Sequence, residues 1–156
     1  MTYNRDAAVA YAHTWAFSRN PAFYDFDGIG GDCTNFASQC IYAGCGVMNY
    51  TRDVGWYYKS PKDRAAAWTG VEYLYRFLTR NQSRGPYAAE LPIEYATPGD
   101  IIQLSFDGAV FGHTLVVVNT YPQILISAHS EDSDNRPLDT YVYRKMRLLH
   151  IEGARE

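Results

Sequence analysis

The amino-acid sequence predicts an α+β domain in which N-terminal helices pack on an antiparallel β-sheet. Apolar residues in the first half of the chain recur at three- and four-residue steps, which is the spacing of amphipathic helices. After Pro98 and Gly99 the pattern changes to short runs rich in β-branched residues, which favour strands. Helices followed by strands are typical of α+β architecture, and a chain of 156 residues suits one domain over residues 1–156.

The first and third helices are predicted from apolar spacing and from their termini. The first covers residues 5–18 and ends before Pro21, because a residue that precedes a proline avoids the helical region. The third is predicted to begin with Ser60 as its N-cap and Pro61 in its first position. Its apolar stripe fades at residues 80–81.

The strands are predicted from residue 100 onwards. Residues 100–106 form the first strand, and residues 113–119, which are rich in valine, form the second. Residues 123–129 return as the third strand after a turn. A polar, acidic loop is predicted over residues 130–139, followed by one or two further strands within residues 140–151.

Composition excludes some classes of function. The formal net charge is -3 and no basic cluster is present, so no nucleic-acid partner is expected. No apolar run approaches the length of a membrane span.

The N-terminal residues lack the pattern of a secretion signal, so the chain as it stands is expected in the cytosol, and a secreted location would require a preceding signal. The oligomeric state is not predicted.

The second helix places a cysteine at a reactive position. It follows the glycine-rich loop at residues 27–31, begins at Asp32 or Cys33 and ends near Gly44. Backbone N–H groups in a first helical turn lack partners and carry partial positive charge, which stabilises a thiolate. The same groups can hold the oxyanion that forms when a thiolate attacks a carbonyl. Cys33 is therefore a candidate nucleophile.

Cys33 has an alternative interpretation as a core residue. It shares one apolar stripe of the helix with Phe36, Ala37 and Ile41, and free cysteines are often buried. Cys40 and Cys45 have only this core interpretation. Three cysteines within 13 residues, mostly on one predicted helix, do not suggest a disulfide framework.

Two histidines stand at the ends of adjacent predicted strands. If the hairpin is symmetric about Tyr121, His113 and His129 are direct cross-strand neighbours on one face of the sheet. One imidazole can then accept the cysteine proton while the other orients it. A shift of one residue in the register would remove this match. The alternative is a partly exposed histidine at each strand end.

These residues resemble a known family. The chain is similar to the bacterial putative amidase domain family, and more distantly to the NlpC-type and CHAP cell-wall hydrolases, which are relatives of papain. The distant similarity lies in Asp32-Cys33, in Pro98-Gly99-Asp100 and in His113 before its strand. The family resemblance is carried by Gly30-Gly31-Asp32-Cys33-Thr34-Asn35-Phe36-Ala37-Ser38-Gln39, with shorter matches at residues 5–12, 15–21, 68–74 and 112–117.

The resemblance implies a papain-like fold and a cysteine-dependent hydrolase of amide or peptide bonds. Cys33 is then the nucleophile and His113 the base, and no cofactor or metal is expected. A third polar residue near the end of the next strand completes such sites, and His129 is the first choice for it. The alternatives are Ser127, Asp132, Asp134 and Asn135.

The substrate is predicted only in outline. The distant relatives imply a peptide substrate of the cell-wall type, with Asp32 and Trp56 as contacts. Asp32 has a simpler interpretation as a helix cap, and Trp56 as a packing residue. Two rival functions stay open, namely a papain-like binding module without catalytic activity and a metal site formed by Cys33, His113 and His129.

Overall fold

A computed structural model describes all residues from 1 to 156. None of its helices combines the length and the apolar character needed to cross a bilayer. The helices are α1 (Arg5–Trp15), α2 (Cys33–Cys45), α3 (Ala66–Thr69) and α4 (Val71–Arg80). The strands are β1 (Tyr58–Ser60), β2 (Asp63–Arg64), β3 (Gly85–Leu91), β4 (Ile101–Ser105), β5 (His113–Asn119), β6 (Leu125–Ala128), β7 (Ser133–Pro137) and β8 (Lys145–Arg155).

Six of the strands form one antiparallel sheet. Its order is β3-β8-β4-β5-β6-β7, while β1 and β2 form a separate hairpin. Helices α1 and α2 pack against each other and against β5. The predicted α+β class and antiparallel sheet are therefore confirmed.

The two faces of β5 belong to different apolar clusters. Val116 and Val118 pack with the helices, in the larger cluster that includes Phe36 and Ile41 of α2. Leu115 belongs with Val117 to a smaller cluster on the opposite face. Because successive side chains of a strand point to opposite faces, this assignment also fixes the faces of the neighbouring positions.

Local sequence explains where α1 begins and where α2 ends. Asn4 is the N-cap of α1, and its side chain accepts a hydrogen bond from the Ala7 N–H. Helix α2 ends at Cys45, one residue beyond the predicted terminus. Its C-cap is Gly46, in the left-handed conformation with φ 70°.

The predicted start of the third helix is wrong. Residues 58–64 form the β1–β2 hairpin, and Ser60 and Pro61 lie there rather than at a helix terminus. The hairpin packs on the loop before α2: the Arg64 guanidinium lies 4.4 Å from the centre of the Phe26 ring. These tertiary contacts outweigh the local capping signal. Helix begins only at α3, which Gly70, in an extended conformation, separates from α4.

The predicted limits of β5 are confirmed. Strands β4, β6 and β8 were also predicted, but their observed boundaries differ from the predicted ones by a few residues or more. Two strands of the six-stranded sheet were missed, in addition to the β1–β2 hairpin. β3 lies in a segment without apolar alternation, and β7 lies within the predicted acidic loop. β7 forms the edge of the sheet and pairs only with β6, so it does not need an apolar pattern.

Candidate active site

Cys33 is the first residue of α2, as the sequence predicted. The loop before it contains Gly28, Gly30 and Gly31, all at positive φ, a region that other residues adopt only with strain. The first backbone N–H of the helix to be used within the protein is that of Phe36, which donates to Asp32 O. The N–H groups of residues 33–35 are therefore available to a ligand.

The Cys33 thiol has a single polar neighbour. Its sulfur is buried, with 8% of the residue exposed, and lies 3.7 Å from Thr34 Oγ1. The Thr34 hydroxyl in turn lies 2.9 Å from Thr114 Oγ1 on β5. These two threonines fix the start of α2 against the start of β5.

The two threonines belong to a longer hydrogen-bond chain. Gln103 Nε2 donates to Thr114 Oγ1 at 3.4 Å and to Val71 O at 3.0 Å. Gln103 Oε1 accepts from Arg147 Nε and Nη2, at 2.9 and 2.7 Å. All these side chains are buried, and Arg147 is also paired with Glu72 at 3.0 Å. We call this the Arg147–Thr34 chain.

The hydrogens of the Arg147–Thr34 chain can be assigned a direction. Arginine only donates and a backbone carbonyl only accepts, so Gln103 must present Nε2 to Thr114. The Thr114 hydroxyl accepts that hydrogen, and its own hydrogen has Thr34 Oγ1 as its acceptor. In the arrangement that gives every hydrogen of the chain an acceptor, the Thr34 hydroxyl donates towards the sulfur of Cys33.

Asp32 lies in a buried cluster and does not cap the helix, contrary to one prediction. Its side chain makes no capping bond and is fully buried, so it also presents no surface to a substrate. Oδ1 accepts from Phe26 N and from Asn35 Nδ2, both at 2.9 Å. Oδ2 lies 2.6 Å from His129 Nδ1. The carboxylate thus connects the loop, the helix and the end of β6.

His129 is occupied on both ring nitrogens. Besides the Asp32 contact, its Nε2 lies 2.8 Å from Trp15 O and 3.1 Å from Arg19 Nη1. The ring stacks on Phe36 at 4.0 Å between centroids and is 1% exposed. The structure therefore brings His129 to Asp32 and not to His113, which corrects the predicted role of orienting that imidazole.

A register shift in the β5–β6 hairpin separates the two histidines. A hairpin symmetric about Tyr121 pairs Val116 with Ile126, whereas the structure pairs Val116 with Ser127. The irregularity lies between Val117 and Asn119. This displacement by one residue puts His129 on the helix-facing side of the sheet, opposite to the side that His113 faces.

His113 opens β5 on the face away from the helices. Its ring lies 6.1 Å from that of Phe106 and 5.9 Å from that of Tyr141, in a cleft of about 560 Å³. Burial lowers the pKa of His113, and the charge of Arg136 lowers it further. The neutral imidazole is therefore the favoured form near neutral pH.

Cys33 and His113 make no hydrogen bond with each other, but the elements that they begin are joined at one end of the sheet. The residues that follow them, Thr34 and Thr114, are bonded to each other. Ser130 provides a second link, because its hydroxyl accepts from the Asp32 N–H at 3.3 Å and lines the His113 cleft. The start of α2 and the start of β5 thus meet at one edge.

Trp56, predicted as a substrate contact, is a core residue. It is fully buried against Trp68 and Phe77, and its Nε1 donates to Ser38 Oγ at 3.0 Å. The side chain therefore offers no surface to a substrate.

The other candidates for a third catalytic residue also lie away from His113. Ser127 bonds Asp134 at 2.5 Å, and Asp134 contacts His13 at 2.8 Å. Asp132 is paired with Arg19, and Asn135 lies in the edge strand β7 with φ 54°. None of them makes a hydrogen bond to the His113 ring.

Comparison with known proteins gives the family. The model of the putative amidase domain matches residues 2–151. The chain belongs to this amidase domain family. It is 32% identical over 139 residues to the uncharacterized protein YhbB of Bacillus subtilis (strain 168), covering 87% of this chain and 40% of that protein. No solved structure gives a significant match. An amidase hydrolyses amide bonds, and this is the activity that the family description supports.

The amidase domain has no metal-binding group of the kind predicted as a rival. No three or more His, Cys, Asp and Glu side chains are placed to hold a metal ion, and the structure does not bring Cys33, His113 and His129 together. Thr34, Arg19 and Ser130 were missed as site residues. Thr34 and Arg19 lie in segments that carry the family resemblance. The sequence therefore marked these two residues but could not predict what they contact.

Replacing His129 by alanine should destabilise the amidase domain by about 3–5 kcal/mol, because the buried Asp32 carboxylate loses its closest partner, at 2.6 Å, and keeps only Arg19 Nε, at 3.6 Å, as an ion-pair partner. Urea unfolding measures the change in the free energy of unfolding. His13→Ala is the matched control, since the His13 side chain is 38% exposed and its contact with Asp134 contributes about 1 kcal/mol or less. Unchanged stability of His129→Ala would contradict the structural role.

His113 should titrate below the ordinary histidine value of 6.5, because burial and the Arg136 charge both disfavour the imidazolium. Its proton is then lost at a lower pH in the folded than in the unfolded chain. Stability from this group is therefore fully present above pH 6.5 and declines as the pH falls below it. NMR titration of the ring protons, assigned with His113→Gln, checks the direction. A pKa at or above 6.5 would contradict it.

Proposed function

We propose that the domain is a cysteine-dependent amide hydrolase in which Cys33 is the nucleophile and His113 the general base. The observation that carries the proposal is the position of the Cys33 thiol at the start of α2, beside unpaired N–H groups and the Thr34 hydroxyl. The other two thiols are not comparable. Burial raises the pKa of Cys40 well above its usual value and that of Cys45 to about 11.

The reaction proceeds through a thioester. The Cys33 thiolate adds to the amide carbonyl, and the oxyanion accepts hydrogen bonds from backbone N–H groups in the first turn of α2. The tetrahedral intermediate collapses with cleavage of the C–N bond, and the leaving amine takes the proton that His113 had received from the thiol. Water then attacks the thioester while His113 accepts its proton, and the acid is released with regeneration of the thiol.

Proton transfer requires the His113 imidazole to approach the sulfur around the end of β5. The two groups are not hydrogen-bonded to each other, and catalytic hydrogen bonds often form only in the substrate complex. His113 is suited to this movement because no hydrogen bond holds its ring, which has Phe106 and Tyr141 as aromatic neighbours. Because its pKa is lowered, the His113 ring is neutral near neutral pH and can accept a proton.

The Arg147–Thr34 chain supports the thiolate. A hydroxyl hydrogen directed at the sulfur favours the ionised form, since a hydrogen bond to the charged state stabilises that state. Arg147 and Gln103 do not touch the sulfur. They act as positioning residues, because they fix the orientation of Gln103 and hence the direction of both threonine hydroxyls.

Short peptides are the proposed substrates. The cleft beside His113 has about 560 Å³, which accommodates a small ligand. The resemblance of Cys33 at a helix start and His113 before a β-branched strand to NlpC-type and CHAP enzymes supports a papain-like arrangement and a cell-wall type of peptide. A binding module without catalysis is the alternative outcome of the experiments below.

Cys33→Ala should abolish turnover and shift the thermal midpoint by about 2–4 °C at most, because only one sulfur atom is lost. The assay incubates the protein with muropeptides and an amide library and identifies products by mass spectrometry. Cys45→Ala, which removes another buried thiol from the same helix, is the control and should retain activity. Full activity of Cys33→Ala would refute the nucleophile, whereas no product with either protein would favour the binding module.

Thr34→Val should slow iodoacetamide alkylation of Cys33 at pH 6 by about tenfold or more. A hydrogen bond to a charged group contributes about 1.5–3 kcal/mol, and 1.4 kcal/mol is a factor of ten. Valine keeps the shape of the side chain but not its hydroxyl, and Thr34→Ser restores the donor. Peptide mapping follows the modification of each cysteine. Equal rates for the valine and serine variants would contradict the donor role of Thr34.

A further inference from the structure

We propose that the His113 cleft contains an anion subsite built on Arg136 and Tyr141, and that the amide substrate carries a carboxylate beside its scissile bond. This inference rests on the proposed function for its catalytic consequence. The subsite itself stands on contacts and charges that are independent of Cys33.

The Arg136 guanidinium is held in a fixed position within the cleft. It lies 3.7 Å from the centre of the Tyr141 ring. Its Nε donates to Thr140 Oγ1 at 2.8 Å, and Nη2 donates to Thr140 O at 3.4 Å. Nη1 makes no hydrogen bond within the protein. A guanidinium whose Nε and Nη2 are hydrogen-bonded to the protein, and whose Nη1 is not, is suited to bind a carboxylate.

Arg136 has no carboxylate partner. The other arginines that join separate elements near the site are paired: Arg19 with Asp132 at 3.0 Å and Arg147 with Glu72 at 3.0 Å. Glu131 also lines the cleft but forms no ion pair with Arg136. The Arg136 guanidinium therefore has no ion-pair partner, although the Glu131 charge opposes its effect on the pKa of His113.

Tyr141 supplies a second donor. Its hydroxyl oxygen is buried and makes no hydrogen bond of normal geometry, with Ser133 and Arg136 as its nearest polar side chains. Burial raises the pKa of Tyr141, so the hydroxyl keeps its hydrogen and is able to donate it. A buried polar group without a partner is costly, and a substrate oxygen would remove that cost. Arg136 and Tyr141 both line the cleft, so a ligand bound to Arg136 lies beside the Tyr141 side chain, whose hydroxyl is the second donor of the proposed subsite.

The rest of the cleft suits the uncharged part of a small peptide. Phe106 and Val142 are 51% and 91% exposed and flank the polar residues. His113 lies between the Phe106 and Tyr141 rings. A peptide whose carboxylate is bound by Arg136 would therefore place an adjacent amide near the imidazole. The free C-terminus of a peptide and an acidic side chain share this chemistry.

Binding can be tested through the titration of His113, without any catalytic turnover. N-acetylalanine is added as the carboxylate probe and N-acetylalanine amide as its neutral counterpart, at constant ionic strength, and the His113 ring protons are followed by NMR. Because Arg136 lowers the pKa of His113, a bound carboxylate should raise it. The amide should have no effect.

Two variants decide whether Arg136 is responsible. Arg136→Gln should start from a higher His113 pKa and lose the response to N-acetylalanine. Arg144→Gln removes an equal charge from an exposed position outside the cleft and should respond like the unmodified protein. An equal response to the acid and the amide, or a response that persists in Arg136→Gln, would overturn the subsite.

A kinetic experiment connects the subsite to the reaction. Peptides cleaved by the protein are compared as free acids and as C-terminal amides, with acidic and neutral side chains as a second pair. The kcat/KM ratio of the charged to the neutral member should exceed about tenfold and fall towards one in Arg136→Gln. Serving as the control, Arg144→Gln should keep the ratio.

The failures of the two proposals are distinguishable. A ratio near one in an enzyme that Cys33→Ala inactivates would refute the anion subsite while the hydrolase stands. An NMR response that depends on Arg136, without hydrolysis of any peptide, would leave a carboxylate-binding cleft and refute the hydrolase.

Discussion

The carboxylate of Asp32 is the constraint on which the architecture of the site depends. It is fully buried, and it binds the loop before the helix through Phe26, the helix itself through Asn35 and the end of β6 through His129. His129 continues the connection to the last turn of α1 through Trp15. Four parts of the chain are thereby fixed around the residue that precedes Cys33. Because a buried charge without a partner is costly, none of these contacts is independent of the others.

A second polar system runs across the strands on the helix-facing side of the sheet. It connects Arg147 on β8 through Gln103 on β4 and Thr114 on β5 to the start of α2. Each of its members is satisfied, which is the condition under which a buried polar network adds specificity to a core. Cys33 therefore lies between two polar systems, one based on Asp32 and one based on Arg147. The thiol itself contributes little to either, so its position is determined by its neighbours in sequence.

The sequence predicted the features that depend on local patterns. The glycines at 28, 30 and 31 and the apolar stripe after them indicated where α2 begins, and the β-branched run of β5 indicated the strand that His113 opens. Contacts between distant residues were not accessible in this way. Trp56 has the composition of either a groove or a core residue, and only packing against Trp68 decides between them. The Gln103–Thr114 contact depends on strand register, and the polar pattern of β7 resembles that of a loop.

The irregularity between Val117 and Asn119 determines on which side of the sheet each of the two histidine rings lies. A hairpin with the symmetric register would turn both rings to one side of the sheet. With the additional residue, the His129 ring is buried beside Asp32 and the His113 ring lines the cleft on the opposite side. The length of this turn is therefore constrained, although its own residues are exposed to solvent. An insertion or deletion there would shift the register and so change which of the two histidine rings faces the helices.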